Sequence, residues 1–338
     1  MAHFEANSVL NGMEKQVVDH ITTQDFVTVT SIKALAQGYI LNCRCEGKSP
    51  KTINTYEEHL KRFIWFCQQQ GYPDEPQLLT VHHIRGFLWY IASEPTRWGA
   101  TSTTACKQAG QATVNHYYRV LNTFFRWLER ETLLHVNPFV HLKTPKIDKK
   151  VIQALTPNGI ERLFKECSGK TTLDIQNKAI LSILLDCGLR VSELASLTLE
   201  DIDMNTGSIL VRHGKGNKQR VVRVGMKAQK VLWKYITLYR KGNSNSLFLN
   251  RSGETFDVVG IKILIKRLGN RAQVKVHPHK LRHTFAISFL RAGGDVFSLQ
   301  YLLGHSTLQM TQRYLQSLNA NDAANAHKKF SPLDNLKL

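Results

Sequence analysis

"LLGHSTLQMTQRYL", residues 302–315, sets a histidine at 305 and a tyrosine at 314. On one unbroken helix, nine residues rise about 13.5 Å and, at about 100° each, turn the two side chains to opposite faces. A shared site therefore needs a break between them. Gly304 can end a helix in a left-handed cap. Ser306 can open the next helix, with Gln309 three positions on completing a capping-box pattern. The spacing predicts His305 on a turn and Tyr314 about two turns into the following helix, the pair facing one cavity.

The bulk of the chain says what such a cavity would meet. With 45 Lys and Arg against 26 Asp and Glu, the 338 residues carry a formal charge of +19. That excess predicts a polyanionic partner, most simply nucleic acid. No stretch approaches ~20 uninterrupted apolar residues and the N-terminus lacks a signal-peptide core, which argues against a membrane. The six cysteines form no CxxC pair and the fourteen histidines no HExxH; Cys43 and Cys45 read as packing residues. The expectation is a reduced, cytoplasmic, nucleoid-associated protein with no structural metal and no cofactor.

A length of 338 residues at 42% hydrophobic suits about two packed domains. Residues 1–30 are weakly patterned and read as an N-terminal arm or short helix. Over 31–140 the pattern is helical. Ser49-Pro50 opens a helix with proline at its first position, followed by Ile53, Tyr56, Leu60, Phe63 and Cys67 at helical spacing. Val114, Tyr117, Leu121, Phe124, Phe125 and Leu128 repeat the pattern. These aromatics read as bundle core rather than a platform for stacking bases. A loop rich in Thr, Ser and Gly occupies about 94–110. "NPFVHLKTPKIDKK", 137–150, then reads as extended, with Lys143, Lys146, Lys149 and Lys150 able to lie along a phosphate backbone. The linker is set at 141–152, the second domain at 153–320 and a tail at 321–338. The tail's Phe330, Leu333, Leu336 and Leu338 suit docking on a neighbouring copy or on its own domain.

The second domain reads as mostly helical with one exception. "SILVRHGKGNKQRVVRVG", 208–225, has β-branched runs flanking Gly-Lys-Gly-Asn, the signature of an antiparallel hairpin. Lys215 sits at its turn among Arg212, Lys218, Arg220 and Arg223, cations that repel one another unless an anion lies nearby. In "LLDCGLRVSELASL", 184–197, one helix ends at Gly188 and another begins near Ser192, with Arg190 in the corner. An arginine at such a junction can simply bond exposed carbonyls. In "VHPHKLRHTFA", 276–286, Pro278 starts a helix on which His279 and Arg282 share a face; His277 and His283 read as capping or packing residues.

Each element alone is ordinary. Together they supply two arginines, a lysine, two histidines and a tyrosine without the carboxylate cluster of a two-metal nuclease. In that case side chains must neutralise the charge at phosphorus. Arg190 and Arg282 can hold the non-bridging oxygens. Tyr314 can attack once its proton is removed, His279 can accept or relay that proton, and Lys215 can protonate the departing 5′ oxygen. His305 can bond a non-bridging oxygen.

These residues resemble the tyrosine recombinase (phage integrase) family. The matching stretches are Gly188-Leu189-Arg190-Val191-Ser192-Glu193-Leu194, Gly214-Lys215-Gly216-Asn217-Lys218, His279-Lys280-Leu281-Arg282-His283, Leu303-Gly304-His305-Ser306 and Tyr314. The resemblance covers about 155–320 strongly and the preceding helical region at the level of pattern. It implies a mainly α fold with a small antiparallel sheet, in two domains that clamp DNA, of the simple type without an added arm-binding domain. It implies catalysis by Arg190, Lys215, His279, Arg282, His305 and Tyr314, through a 3′-phosphotyrosyl bond and a Holliday junction, without metal or nucleotide. Glu193 becomes a structural partner of Arg190. The implied partners are double-stranded DNA with paired inverted half-sites, a homotetramer on that DNA formed from free monomers, and accessory or directionality proteins. Integration, excision, transposition and dimer resolution all remain open as roles. A type IB topoisomerase-like enzyme and a non-catalytic DNA-binding member are the alternatives.

Overall fold

Helix α1 (Ile32–Cys45) starts from Ser31, whose side chain accepts from Ala34 N, and α2 (Pro50–Gln69) starts as read, with Ser49 as cap and Pro50 first. With α3 (Val81–Ser93) and α4 (Gln111–Arg130) they form a helical bundle. These elements belong to a computed structural model that describes residues 31–96, 98, 108–147, 153–212, 219–319 and positions 322, 324, 327 and 331. The expectations for residues 1–30, most of the 94–110 loop, Lys149, Lys150, Lys215, Lys218 and the tail's Phe330, Leu333, Leu336 and Leu338 fall outside these residues. The chain divides into two compact units, one ending at 149 and one beginning at 150.

In the first unit the aromatics are core. Phe63, Phe87, Phe124 and Phe125 are fully buried, with Phe63 set edge-on to Phe87 at 5.0 Å between ring centres. Burial of each contributes about 2 kcal/mol, and the tilted ring pairs add somewhat more. The stretch read as an extended linker begins as part of this unit. Phe139 is buried against Tyr118 and Phe125, Tyr118 Oη donates to Leu142 O at 2.9 Å, and Asn115 Nδ2 donates to Pro145 O at 2.7 Å. The strand-like segment is thus strapped along α4 as far as Pro145, because its backbone carbonyls find donors there. Lys143 and Lys146 stay exposed.

In the second unit, α5 (Pro157–Lys165) leads to α6 (Thr172–Asp186), which is buried nearly all round through Ile175, Ala179, Ile180, Leu181, Ile183 and Leu184. Short α7 (Val191–Ala195) follows. The hairpin is present within an antiparallel sheet of order β1 (Ile202–Asp203), β2 (Ser208–Val211), β3 (Arg220–Arg223), with Ile209 opposite Val222 and Val211 opposite Arg220. Helix α8 (Met226–Lys234) and α9 (Val258–Arg271) complete the main core. Last come α10 (Pro278–Arg291), α11 (Val296–Leu303) and α12 (Leu308–Leu315). These three share a smaller apolar cluster of Ala286, Ile287, Leu299, Leu303 and Tyr314. The tyrosine of the opening stretch is therefore packed as a core residue, which limits where its hydroxyl can go. The fold is mainly helical with one small antiparallel sheet, as read from the sequence. No helix among the described residues is long and apolar enough to cross a membrane.

Candidate active site

Two glycines build the frame. Gly304 ends α11 at φ +62° and Gly188 follows α6 at φ +60°, the left-handed region that costs glycine least. Neither tolerates a side chain: a Cβ would lie 3.0 Å from Arg220 Nη1 at Gly304 and 2.3 Å from the Phe285 ring at Gly188. Carbonyls left without helix partners at these two ends become acceptors. Arg190 Nη2 donates to Gly304 O at 3.2 Å, and Arg282 donates to Gly188 O at 2.8 Å and to Leu303 O at 2.6 Å. The corner arginine does bond a carbonyl, and the same bond aims its guanidinium.

The break between His305 and Tyr314 lies one residue from where the capping pattern sets it. Helix α12 begins at Leu308 with Thr307, not Ser306, as its cap; Ser306 Oγ turns to Met310 Sδ instead. Two adjacent hydroxyl residues offer the same chemistry, so sequence alone cannot choose between them. The outcome for the site is the expected one. The His305 and Tyr314 rings stack 6.1 Å apart at 8°, and His305 Nδ1 lies 2.8 Å from Thr311 Oγ1.

Glu193 is the electrostatic hub. It is 2% exposed and accepts from Arg190 Nη1 at 2.7 Å, from the Arg190 backbone N at 2.8 Å, and from both ends of the Arg220 guanidinium at 2.9 and 2.8 Å. Arg282 Nη1 stands 3.8 Å away. Burial alone would raise the Glu193 carboxyl, but Arg220 and Arg190 hold it below the usual carboxylate range. The expectation that Glu193 partners Arg190 is met, and a second arginine joins it.

That arginine corrects the reading of the hairpin. Arg220, expected on DNA, is 4% exposed and also donates to Leu302 O at 2.7 Å. Its neighbours alternate so that Arg220 and Val222 point inward while Val221 and Arg223 point out. An arginine this buried, with its donors spent on a carboxylate and a carbonyl, braces the site and is not available to a phosphate backbone. Arg212 keeps its side chain 44% exposed while Nε bonds the buried Asp201 carboxylate.

A second correction concerns α10. His277 caps the helix, accepting from Lys280 N at 3.2 Å. His283, grouped with it as a capping or packing residue, instead sets Nδ1 3.1 Å from the Tyr314 hydroxyl. Positions 279 and 283 are one helical turn apart, and the two imidazoles lie 6.3 Å apart, nearly parallel. The i,i+4 spacing puts the two imidazoles on one face, but the contact with Tyr314, 31 residues away, comes only from packing.

The site is strongly cationic. Burial and neighbouring Arg190 pull the Arg282 guanidinium down to about 10. His305 falls to about 4 through burial and the charges of Arg282, Arg190 and Arg220, and His283 to about 4 through burial and its neighbours His279, His277, Arg282 and Arg313. His279 is lowered by burial and Arg282 as well. At neutral pH His283 and His305 are uncharged. Tyr314, 4% exposed, is raised by burial against the opposing pull of Arg282, Arg313 and Arg190. Among the described residues no three His, Cys, Asp or Glu side chains lie close enough to hold a metal ion. The arrangement offers two anchored guanidiniums and uncharged imidazoles around one phenol. Such a set suits an anionic tetrahedral centre attacked by oxygen.

Comparison with known proteins gives matches along most of the chain. The model described as "Phage integrase family" matches residues 153–321, and that described as "Phage integrase, N-terminal SAM-like domain" matches residues 35–134. Tyrosine recombinase XerC of Oceanobacillus iheyensis is 35% identical over 278 residues, which is 80% of this chain and 86% of the relative. The Tn1549 transposon integrase, solved in complex with transposon right end DNA, superimposes with a TM-score of 0.70 at 21% identity, covering 88% of this chain and 99% of that one. A lambda integrase dimer solved on a COC′ core site gives 0.67 at 17% identity, covering 86% and 97%. At these identities the two solved structures speak for the fold alone.

Proposed function

Since the chain belongs to the phage integrase family and is a tyrosine-type site-specific recombinase that breaks and rejoins DNA, we propose that Tyr314 is its nucleophile and Arg190, Lys215, His279, Arg282 and His305 its supporting set. Tyr314 attacks the scissile phosphorus, leaving a 3′-phosphotyrosyl bond and a free 5′-hydroxyl. The phosphodiester's bond energy is kept in that linkage, so rejoining needs no nucleotide. Arg190 and Arg282 hold the non-bridging oxygens as charge builds, His305 donates to one of them, and Lys215 protonates the leaving 5′ oxygen. The observation that carries this reading is the buried Tyr314 phenol, stacked on His305 and acted on by two guanidiniums whose positions backbone carbonyls and Glu193 hold.

The chain acts on double-stranded DNA with paired inverted half-sites, and four protomers exchange strands through a Holliday junction. A substrate nicked beside the cleavage position tests the chemistry. Loss of the short 5′ fragment traps the enzyme, and an SDS-stable protein–DNA adduct is expected. Its absence on the natural site would leave only a DNA-binding protein.

Exposed Lys143 and Lys146 are assigned to the phosphate backbone. Binding then weakens steeply with salt, by about 0.9 log unit per log unit of salt for each phosphate neutralised. Replacing both lysines with alanine is expected to lower the slope of log K against log salt by nearly 2 and to weaken binding evenly across sequences. An unchanged slope in a filter-binding titration would remove them from the interface.

A further inference from the structure

We propose that His283, through Nδ1, accepts the proton of the Tyr314 hydroxyl as that oxygen attacks phosphorus. The inference rests on Tyr314 being the nucleophile and assigns the proton step to a residue outside the supporting set named above.

Geometry carries it. Nδ1 lies 3.1 Å from the phenolic oxygen, inside the range for direct proton transfer, and the ring centres are 5.5 Å apart. With Nε2 carrying the imidazole proton, Nδ1 presents a lone pair and the phenol donates to it; Arg282 also bonds the phenolic oxygen, and a lone pair is left for phosphorus. Titratable and charged groups face the ring from two elements. His277 and His279 flank it along α10, Arg282 is its chain neighbour, and Arg313 and Tyr314 face it from α12. His305 approaches the phenol from another direction, stacking on its ring face, and its Nδ1 is engaged with Thr311. His283 is thus the imidazole bonded to the reacting hydroxyl.

The step balances. The phenolic proton passes to His283 Nδ1 and makes an imidazolium. The O–P bond forms as the P–O5′ bond breaks, and the 5′ oxygen takes its proton from the acid on the other side. On rejoining, the imidazolium returns its proton to the departing Tyr314 oxygen. Substrate arrival favours the forward transfer. Burial, and after it nearby charges such as Arg282 and Arg313, keep His283 uncharged in the free protein; the incoming phosphodiester partly neutralises those charges, which makes the imidazole a stronger base when it is needed.

The test uses the full chain and a half-site whose scissile 5′ oxygen is replaced by sulfur, so the leaving thiolate needs no proton and only the nucleophile side is read. Wild-type single-turnover cleavage is expected to be nearly flat from pH 6.5 to 8.5, on the order of a neutral imidazole already poised as base. His283→Asn places an amide near Nδ1 that keeps a hydrogen bond but cannot take the proton. It is expected to cleave roughly 100-fold or more slowly at pH 7 and to gain about tenfold per pH unit as phenolate takes over, with DNA affinity unchanged. Free imidazole should restore cleavage to His283→Ala but not to Tyr314→Phe. A purely structural role would lower the rate without adding that slope and would show no rescue. His283→Asn at wild-type rate with a flat profile overturns this inference while leaving Tyr314 as nucleophile. A wild-type protein that forms no adduct, or a Tyr314→Phe protein that still does, sinks both.

Discussion

Tyr314→Phe is expected to abolish the covalent protein–DNA adduct, lowering single-turnover cleavage on the order of 10⁴-fold or more, while DNA affinity changes by no more than about threefold. The asymmetry follows from where the hydroxyl sits. In the free protein it bonds His283 and its ring is packed among Ala286, Ile287, Leu299 and Leu303. Phenylalanine keeps that packing and loses only the oxygen that attacks. His283 Nδ1 is then left without its donor, which costs about 1 kcal/mol of stability, a small part of the whole. Gel electrophoresis in SDS with a nicked substrate reads the adduct, and a filter or gel-shift titration reads affinity. An adduct that survives would place the nucleophile elsewhere. Tyr301 is the first residue to ask about, because it is 61% exposed on α11; Tyr239 is the second, held beside Lys234 by a cation–π contact.

How much of this site was legible beforehand depended on whether the signal was local. Gly304 between His305 and the rest of its stretch announces a helix end, and the φ of +62° shows why glycine stands there. Arg190 after Gly188 was placed correctly at a helix junction for the same reason. Bundle faces at 114–128 were legible because helical periodicity and burial coincide, down to Phe124 and Phe125 with no exposed surface. Arg220 was not legible. The strand reads Arg-Val-Val-Arg, so each face carries one arginine and one valine, and alternation gives no clue to which face is inside. The answer comes from Glu193, 27 residues away in the chain, whose buried carboxylate draws Arg220 in. His283 lies between these cases. Its one-turn relation to His279 was in the sequence, but its partner Tyr314 is 31 residues distant and only the packing of α12 against α10 brings them together.

Glu193→Gln should be the most damaging substitution outside the reacting groups, lowering the unfolding free energy by about 3–5 kcal/mol. The amide has the right shape and size, so the loss is electrostatic. Arg220, with its side chain 3% exposed, would be buried without its anion, and Arg190 and Arg282 would add their charges beside it. For a domain of this size that corresponds to a fall of roughly 6–20 °C in the thermal midpoint. Cleavage should fall too, because the Arg190 guanidinium loses the charged partner that, with the Gly304 carbonyl, holds it in place. A cycle with Arg220→Met separates pairing from general damage. In the double variant no buried arginine remains unpaired at position 220, so it should be more stable than the sum of the single losses by at least about 1 kcal/mol. Strict additivity would mean the pair does not hold the site.

The acid side of the stability curve gives an independent check. Glu193 is held below its unfolded value of about 4.3, so its contribution is fully present above that pH and is lost as pH falls through the lower folded value. His283 and His305, at about 4 in the folded protein against about 6.5 unfolded, act with the same sign in a higher window. Between about pH 7 and 4 the unfolded chain takes up protons that the folded site refuses, and stability declines as pH falls. Glu193→Gln should therefore keep the decline between about pH 7 and 5 and show a smaller further drop below about 4.5, where Asp201 still contributes. Urea unfolding at a series of pH values resolves the two windows. If the variant and the wild type were to lose stability in parallel below pH 4.5, on the order of the unfolded carboxylate range, the hub would not be carrying its charge, and the bracing of Arg190 and Arg282 would have to come from the Gly304, Gly188 and Leu303 carbonyls alone.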